Sequence, residues 1–458
     1  MVLSAATLSA ETIHLKNGKR IVADTVREKN GRVEYDIGED TYAIPKSLVE
    51  RIDSGGVPVR PSRNNDDLPE FTPNSSVAGT DDLFAELVRG GRLDADGLRN
   101  AELSGDPRKS AAAYFVAARY EQDHGNREQA VTYYQRALGY LPDNGAILTH
   151  LAAVLLQMNR YADAIPYAER ATRADGESVD SLAVLGVAYF MADRTRESIP
   201  IFKRALAIRP DATLQKLLDK AERELNAEAE YTQRETGHFT LRYEGRHVSD
   251  ALGRQILDTL ESHHDDLVRE LGVTPRSNIA VILYTDRVFE DVTQSPQWTA
   301  AVNDGKIRIP ISGVSSVTSM LSRVLRHELA HSFISQASRG RCPQWLHEGI
   351  AQLVEPRRLG SDGRLLAILF EQQKHVPLNY LEGSFMKYSG QQAAVAYAES
   401  LAAAEFINET YGMSDLRLIL ERIGEGSSTE AALRSTLHSG YSQFEAELGR
   451  YLKARYGD

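Results

Sequence analysis

The spacing of apolar residues changes along the chain, and each change predicts a different kind of structure. Residues 11–53 alternate polar and apolar positions in short runs, which is the period of a half-buried strand. The predicted strands cover 12–15, 20–25, 32–37 and 41–44. Asn17-Gly18 and Asn30-Gly31 separate them, and both dipeptides favour hairpin turns because both turn positions need positive φ. We therefore expect a small all-β domain over 11–53.

Two segments beside this domain lack regular patterning. Residues 54–76 are rich in Pro, Gly, Asn and Asp, which predicts a flexible linker. Residues 1–10 (MVLSAATLSA) are small and apolar and end in a pattern typical of signal-peptide cleavage, although a basic start is missing. Two interpretations stay open: a signal-peptide remnant, which places the protein in the periplasm or outside the cell, or a disordered terminus, which leaves the cytoplasm possible.

Residues 111–144, 145–178 and 179–212 form a 34-residue repeat. A small residue recurs in the second half of each unit, and an alanine follows seven positions later: Ala130, Ala164 and Ser198, then Ala137, Ala171 and Ala205. This spacing resembles the tetratricopeptide repeat. The resemblance implies helix pairs that stack into an α-helical solenoid over 77–234, with a groove for a protein partner.

The expected groove residues carry no paired basic and asparagine side chains of the kind that clamp a carboxylate. They are Tyr114, Arg119, His150, Ala153 and Val187. We therefore do not expect an acidic chaperone tail as the ligand.

The last 224 residues, 235–458, combine both patterns. Strands are predicted over 238–243, 279–284 and 306–310, a helix over 249–271, and mostly helices after 317. This is an α+β domain large enough for one catalytic core.

One predicted helix of this domain carries His327-Glu328-Leu329-Ala330-His331. Residues four apart share one helical face, so both imidazoles can reach one metal ion, for which zinc is suited. Apolar neighbours at helical spacing indicate that this face points inward. Glu328, one position from His327, is placed to act as a general base toward water.

A second helix after Pro343 brings Glu348 back beside the two histidines. Three protein ligands with an open position are typical of a catalytic zinc site. HELAHSF followed by PQWLHEGIAQLVE resembles the peptidase MA-like family, gluzincin zinc metallopeptidases of the thermolysin-like MA clan. The resemblance implies a zincin-like domain that cleaves peptide bonds with one Zn²⁺ per chain, His327, His331 and Glu348 as ligands and Glu328 as base.

The sequence departs from some members of that clan. The aminopeptidase motif G-x-M-E-N is absent before the histidine helix, which argues against amino-terminal exopeptidase action. In its place we expect an edge strand containing Lys306, Ile307 and Arg308 to bind the substrate backbone, with an ordinary core strand as the alternative. Tyr397 is the expected oxyanion donor, because its surroundings resemble the family segment after the zinc helices; Tyr388 and His375 are alternatives, as is a purely structural tyrosine.

Other polar residues are interpreted as bystanders. Neighbouring helical residues point about 100° apart, so His347 should face outward when Glu348 faces the metal. The run His263-His264-Asp265-Asp266 predicts a solvated helix face, and Cys342 a thiol without a catalytic role even if the helix start lowers its pKa.

Composition makes two classes of function unexpected, nucleic-acid binding and membrane spanning. The net charge is −11, so nucleic acid is not an expected partner, and no apolar run approaches the roughly 20 residues of a membrane span. The leading hypothesis is a zinc endopeptidase whose repeats recruit a protein substrate or partner. Two alternatives remain: a repeat scaffold with an inactive zinc module, and a zinc amidase acting on cell-wall material.

Overall fold

The computed structural model describes most of the chain after residue 10. The described residues are 11–16, 20–23, 25–29, 31–37, 40–54, 73–89, 92–294, 301–311, 313–355, 357–383, 385, 388 and 390–457. The predicted signal-peptide remnant, the Asn17-Gly18 turn and most of the predicted linker lie outside them. Residues 67–229 with 424–426 form one compact unit and the remainder forms a second. The finer domain boundaries stay a prediction.

The N-terminal β region consists of two antiparallel three-stranded sheets, ordered β2-β1-β6 and β3-β4-β5. The strands are β1 Glu11–Leu15, β2 Arg20–Ala23, β3 Thr25–Lys29, β4 Arg32–Ile37, β5 Asp40–Pro45 and β6 Val49–Ser54. Lys29 pairs with Arg32, and Gly31 before Arg32 has the positive φ, +74°, that the predicted turn needs, whereas Asn30 lies outside the described residues. The predicted strand over 20–25 covers all of β2 and only the first residue of β3, so most of β3 was missed, as was β6.

The helical repeat fold is confirmed. The elements in this unit are α1 Thr80–Leu87, β7 Val88–Arg89, β8 Arg92–Leu93, α2 Ala95–Leu103, α3 Pro107–Asp123, α4 Arg127–Tyr140, α5 Gly145–Gln157, α6 Tyr161–Ala174, α7 Val179–Met191, α8 Thr195–Ile208 and α9 Ala212–Ala227. The six recurring small residues are completely buried between helices. A Cβ on Gly186 would lie 2.6 Å from the Phe202 ring, so α7 and α8 approach too closely for any larger residue there.

The prediction that these five residues line an accessible groove is mostly wrong. Tyr114, His150, Ala153 and Val187 are buried, and only Arg119 is exposed. The Tyr114 ring stacks on Tyr140 at 6.1 Å between centroids, as part of the core rather than a lining. The predicted residues on the first helix of each repeat are therefore more buried than the repeat spacing alone indicates.

The C-terminal domain contains one mixed five-stranded sheet and nine helices among the residues described from 230 onward. These elements are β9 Thr232–Glu235, β10 Phe239–Tyr243, α10 Asp250–Leu271, β11 Ile279–Tyr284, α11 Asp286–Thr293, β12 Val302–Asn303, β13 Ile307–Pro310, α12 Ser319–Ala337, α13 Gln344–Val354, α14 Ser361–Glu371, α15 Gly390–Thr410, α16 Met413–Gly424, α17 Thr429–Leu437 and α18 Tyr441–Tyr456. The sheet order is β12-β13-β11-β10-β9, with the three inner strands parallel. All six β11 side chains are buried, as expected for a strand covered on both faces.

One apolar core joins this sheet to α12, α13 and α15. Its tightest contact is at Gly349 in α13, where a Cβ would lie 2.2 Å from the backbone oxygen of Ser400 in α15. Only glycine allows the two helices to pack at this distance. In the described part of the chain, every helix falls short of the length and apolarity needed to span a membrane.

Candidate metal centre

Helices α12 and α13 form a hairpin that carries the predicted site. The Thr318 hydroxyl accepts a hydrogen bond from the Leu321 N–H and caps α12, and six residues connect the end of α12 to the start of α13. Almost every side chain of α13 is buried, because the helix lies between α12 and α15. The short connection and the close contact at Gly349 fix α13 relative to the histidine helix.

Three predicted ligand residues converge between these helices. One ligand atom each from His327, His331 and Glu348 lies within 4.8 Å of the others, and all three side chains are buried. Nε2 of His327 is 3.6 Å from one Glu348 carboxylate oxygen, and Nε2 of His331 is 3.9 Å from the other. Two zinc bonds of typical length at a tetrahedral angle separate their donor atoms by about 3.4 Å. The arrangement therefore fits a small divalent ion of the zinc type.

Each of these three residues is oriented by a further buried side chain. Nδ1 of His327 is 2.9 Å from a Glu355 carboxylate oxygen, and Nδ1 of His331 is 2.8 Å from Nδ1 of His347. The Gln344 amide donates to Glu348 at 3.1 Å. Because both histidines use Nδ1 for these contacts, Nε2 is the nitrogen that each presents toward Glu348. Such partners fix ring orientation and tautomer in metal sites.

The outward orientation predicted for His347 is wrong. Its side chain is buried, the ring stacks on His331 at 4.7 Å, and Nε2 lies 3.3 Å from the Ser335 hydroxyl. Burial, with a smaller effect of His327, lowers the pKa of His347 to about 3, so the ring is neutral. A neutral ring has one donor and one acceptor. If Nε2 of His331 holds a metal ion, the His331 proton lies on Nδ1, so that His331 donates to His347 and His347 donates to Ser335.

Glu328, the predicted base, is buried on α12. Its backbone oxygen accepts a hydrogen bond of 2.6 Å from the side-chain amide of Asn303, which also donates to Ser332 at 2.9 Å. Asn303 belongs to the two-residue strand β12, so the sheet edge is tied to α12 at this residue. Sequence reasoning missed Asn303 because its strand is too short to produce a pattern.

The predicted substrate strand is not an edge strand. Ile307 and Arg308 pair with β11 on one side and with Asn303 and Val302 of β12 on the other. Lys306 and Arg308 are buried, and Arg308 donates to Asp304 at 3.2 Å and to the Tyr284 hydroxyl at 3.2 Å. Because both sides of Ile307 and Arg308 are already paired, a substrate strand cannot add there; the prediction failed because β12 was not recognised.

Tyr397 lies on α15, next to the ligand helix. The Gln352 amide donates to the backbone oxygens of both Tyr397, at 3.0 Å, and Glu348, at 3.3 Å. The Tyr397 ring contacts Phe385 edge-on at 5.3 Å. Its role as oxyanion donor stays a prediction.

The two alternatives to Tyr397 have contacts elsewhere. The Tyr388 hydroxyl donates to the backbone oxygen of Tyr380 at 3.1 Å, and the His375 ring stacks on Phe370 at 4.1 Å. Neither contact brings these side chains toward the histidine pair.

Of the His263–Asp266 run, only Asp265 is exposed as a solvated helix face would be. His264 is buried against Phe333, and Nε2 of His263 is 2.9 Å from the Ser322 hydroxyl. Asp266 accepts from Arg326 at 3.2 Å, so the run packs α10 against α12. The prediction failed because histidine and aspartate look solvent-exposed in sequence even where they join two helices.

Cys342 lies in the connection before α13 and is buried. Burial, and then the charge of Glu348, raise the pKa of its thiol well above the usual value. The possible lowering of this pKa at a helix start is therefore contradicted, and the thiol stays protonated.

Gln344 and Glu355 were also missed, although the sequence contains a signal for them. Gln344, Glu348, Gln352 and Glu355 recur at spacings of four, four and three in and directly after α13, which apart from His347 is otherwise apolar. Polar residues along one face of a buried helix need partners, which indicates a polar network around the ligand.

Comparison with known proteins supports the division into repeats and peptidase domain. The Peptidase MA superfamily model matches residues 263–450, and the tetratricopeptide repeat model matches 115–176 and 151–213. No curated protein matches the chain.

The solved structures that resemble this chain are similar to its repeat region. The Arabidopsis OM64 TPR domain is 18% identical with a TM-score of 0.25, covering 26% of this chain and 99% of that chain. The second TPR domain of human RPAP3, in complex with an HSP70 peptide, is 20% identical with a TM-score of 0.25, covering 26% of this chain and 98% of that chain. MamA AMB-1 is 20% identical with a TM-score of 0.27, covering 32% of this chain and 86% of that chain. Similarities with TM-scores this low do not indicate a function for this chain. A match to the Peptidase MA superfamily over residues 263–450 therefore follows matches to the tetratricopeptide repeat over residues 115–213, as the sequence motifs predicted.

Proposed function

We propose that this protein is a zinc-dependent peptidase, endopeptidase-like in its action, whose repeats bind a protein substrate or partner. The observation that carries the proposal is the convergence of His327, His331 and Glu348, with Glu328 one residue from the first histidine. The match to the Peptidase MA superfamily supports a peptidase-like module. The absent aminopeptidase motif supports internal cleavage rather than removal of amino-terminal residues.

Metal binding and proton transfer are assigned to different residues. His327 and His331 present Nε2 because Glu355 and His347 hold their Nδ1 atoms, and Glu348 adds a carboxylate. A zinc ion held by these three would act as a Lewis acid that polarises the scissile carbonyl and lowers the pKa of water. Glu328 then takes a proton from the attacking water and passes it to the leaving amine.

Stabilisation of the oxyanion needs a separate donor. We assign this role to the Tyr397 hydroxyl, supported by its place on α15 and by the hydrogen bonds through which Gln352 joins Tyr397 to Glu348. A preorganised donor of this kind contributes only as negative charge develops on the carbonyl oxygen.

A direct experiment compares wild type with Glu328→Gln for metal content and for cleavage of a diverse peptide library. We expect about one zinc per chain in both proteins, and a loss of cleavage of at least about 100-fold in the variant. Glu430→Gln is a matched control, because Glu430 is half-exposed and paired only with Arg434 in the described contacts. Zinc bound with no cleavage by either protein would instead support the scaffold.

The choice of substrate distinguishes a peptidase from the third candidate, a zinc amidase acting on cell-wall material. Peptides and cell-wall fragments are offered to the same wild-type protein under the same conditions. Hydrolysis restricted to wall fragments, and abolished by Glu328→Gln, would replace the peptidase proposal with an amidase that uses the same residues.

A further inference from the structure

The last described part of the predicted linker is bound to the repeats. Residues 73–77 have neither helical nor strand structure and run directly into α1. Pro73 and Val77 are buried, whereas Asn74 and Ser76 are exposed. This pattern is typical of an extended peptide that anchors its apolar side chains on a protein surface.

Two hydrogen bonds hold the backbone of this segment. The Asn74 N–H donates to the Asp180 carboxylate at 2.7 Å, and the Ser75 carbonyl oxygen lies 2.8 Å from Nε2 of His150. His150 is on α5 and Asp180 is in the first turn of α7, the first helices of two successive repeats. We name the surface that carries these two side chains the first-helix surface.

The first-helix surface is built for this contact. His150 is completely buried, and burial lowers its pKa to about 4, so the ring is neutral. The Ser75 carbonyl oxygen can only accept, so the single ring proton of the neutral His150 lies on Nε2. A buried imidazole with its proton fixed in this way is a directional donor rather than an adaptable surface group.

Charge defines what this surface can bind. Asp180 is largely buried, with 14% of its side chain exposed, and its other carboxylate oxygen is 3.6 Å from Arg209. An acidic peptide would place negative charge beside a carboxylate of low exposure, which is unfavourable. A neutral segment that offers a backbone N–H to Asp180 and a carbonyl oxygen to His150 has no such cost.

We infer that the first-helix surface is a docking site for an extended, uncharged peptide, and that residues 73–77 of this chain occupy it until a partner displaces them. The inference rests on the proposed role of the repeats in protein binding and is independent of the metal chemistry. A tethered segment has an effective concentration in the millimolar range, so a separate partner has to compete against it. The repeats are thereby selective for partners that bind more tightly than the chain's own segment.

The test uses the full chain and a fluorescein-labelled peptide of residues 73–79. The double variant Asn74→Pro, Val77→Asp removes the N–H that Asp180 accepts and makes burial of the anchor unfavourable. We expect this variant to bind the peptide at least tenfold more tightly than wild type by fluorescence anisotropy. Adding Asp180→Ala to the double variant should abolish this gain in affinity. A peptide with Glu at positions 75 and 76 should bind the double variant at least tenfold more weakly than the unchanged peptide does.

Ser76→Ala is the matched control, because Ser76 belongs to the same segment but is exposed and the substitution adds no charge. It should behave as wild type. Circular dichroism verifies that each variant keeps its helix content. Equal peptide binding by wild type and the double variant, or no binding by a double variant of normal helix content, would overturn the inference.

A second measurement needs no substitution within the segment. The Asn74 amide of wild type should exchange hydrogen at least tenfold more slowly than the exposed Ser76 amide, and Asp180→Ala should remove that protection. Exchange of both amides at equal rates in wild type would overturn the inference. Neither readout depends on zinc or hydrolysis, so its failure would leave the peptidase proposal untouched.

Discussion

Nδ1 of His347 lies 2.8 Å from Nδ1 of His331, and the two buried rings stack with an angle of 7° between their planes. When Nε2 of His331 serves as a metal ligand, the His331 proton lies on Nδ1, and the neutral His347 ring accepts it and holds Nε2 toward Glu348. His347 is thus a positioning residue, one step removed from the predicted ligands.

Replacement of His347 should weaken metal binding. His347→Leu removes the acceptor, and loss of such an outer partner typically lowers metal affinity by about 10–100-fold. His347→Gln keeps an amide oxygen that can accept the same proton and should retain most of the affinity. Zinc affinity is measured by chelator competition, and the visible spectrum of the cobalt-substituted protein reports ligand geometry.

Ser335→Ala provides the comparison for that experiment. It removes only the outer hydroxyl contact of His347, so its effect should be much smaller than that of the leucine variant. A leucine variant with wild-type zinc affinity and an unchanged cobalt spectrum would show that His347 only fills space.

Tyr397→Phe tests the proposed oxyanion donor. Removing one such donor lowers kcat by about 100- to 1,000-fold, while substrate and metal binding change little. Steady-state kinetics should therefore show a large fall in kcat with a small change in KM, and metal analysis should show an unaltered zinc content. Tyr388→Phe is the matched control, because its hydroxyl donates to Tyr380. If Tyr397→Phe turned over at the wild-type rate, the assignment would be discarded.

Gly349→Ala should destabilise the C-terminal domain. The added Cβ would lie 2.2 Å from the Ser400 oxygen, and a backbone atom cannot rotate away as a side chain can. Overpacking of this kind costs about 1–3 kcal/mol, measured as the free energy of unfolding in urea. Gly237→Ala is the control, since a Cβ at that position would have no neighbour within 4 Å among the described residues. Equal stability of the two variants would contradict the close packing of α13 and α15.

The stability of the domain should fall between about pH 5 and pH 8 through Glu399. Burial raises the pKa of Glu399 to about 8, despite the Val376 N–H that donates to it, and the negative charge of Glu445 adds to the increase. The folded state therefore keeps a proton that the unfolded state loses near its usual pKa, so this contribution is complete at low pH and disappears as pH rises. Nε2 of His375 lies 3.9 Å from a Glu445 carboxylate oxygen.

Glu399→Gln should flatten that part of the pH profile, because glutamine stays neutral and its amide oxygen can still accept from Val376. The melting temperature of wild type and variant is compared at several pH values from 5 to 8. Parallel profiles would mean that Glu399 is ionised in the folded protein. Glu371→Gln, which removes a carboxylate from an exposed pair with Lys453, is the control.

The sequence predicted the convergence of the metal-site residues but not what surrounds them. His327 and His331 share a face because four residues make about one turn, and a short connection brings Glu348 back. His347 was misplaced because a helical wheel assumes a solvent side, and α13 has almost none. The 34-residue period likewise predicted the repeats, since small residues are required wherever helices touch.

The strand prediction failed where the chain gives too few residues to show a period. Two residues of β12 are enough to convert β13 from an edge strand into an inner one, and no alternation can be read from two positions. Contacts between distant segments, such as Asn303 with the Glu328 carbonyl, are absent from any local pattern.

Helix α13 and its end contribute Glu348 and also the partners of all three predicted ligands, Gln344, His347 and Glu355. A divalent ion bound to His327, His331 and Glu348 would therefore join α12 to α13 and add to the packing that already holds α13 in place. Chelation would remove this link, and the free energy of unfolding of the domain would fall even though the contacts between the helices remained.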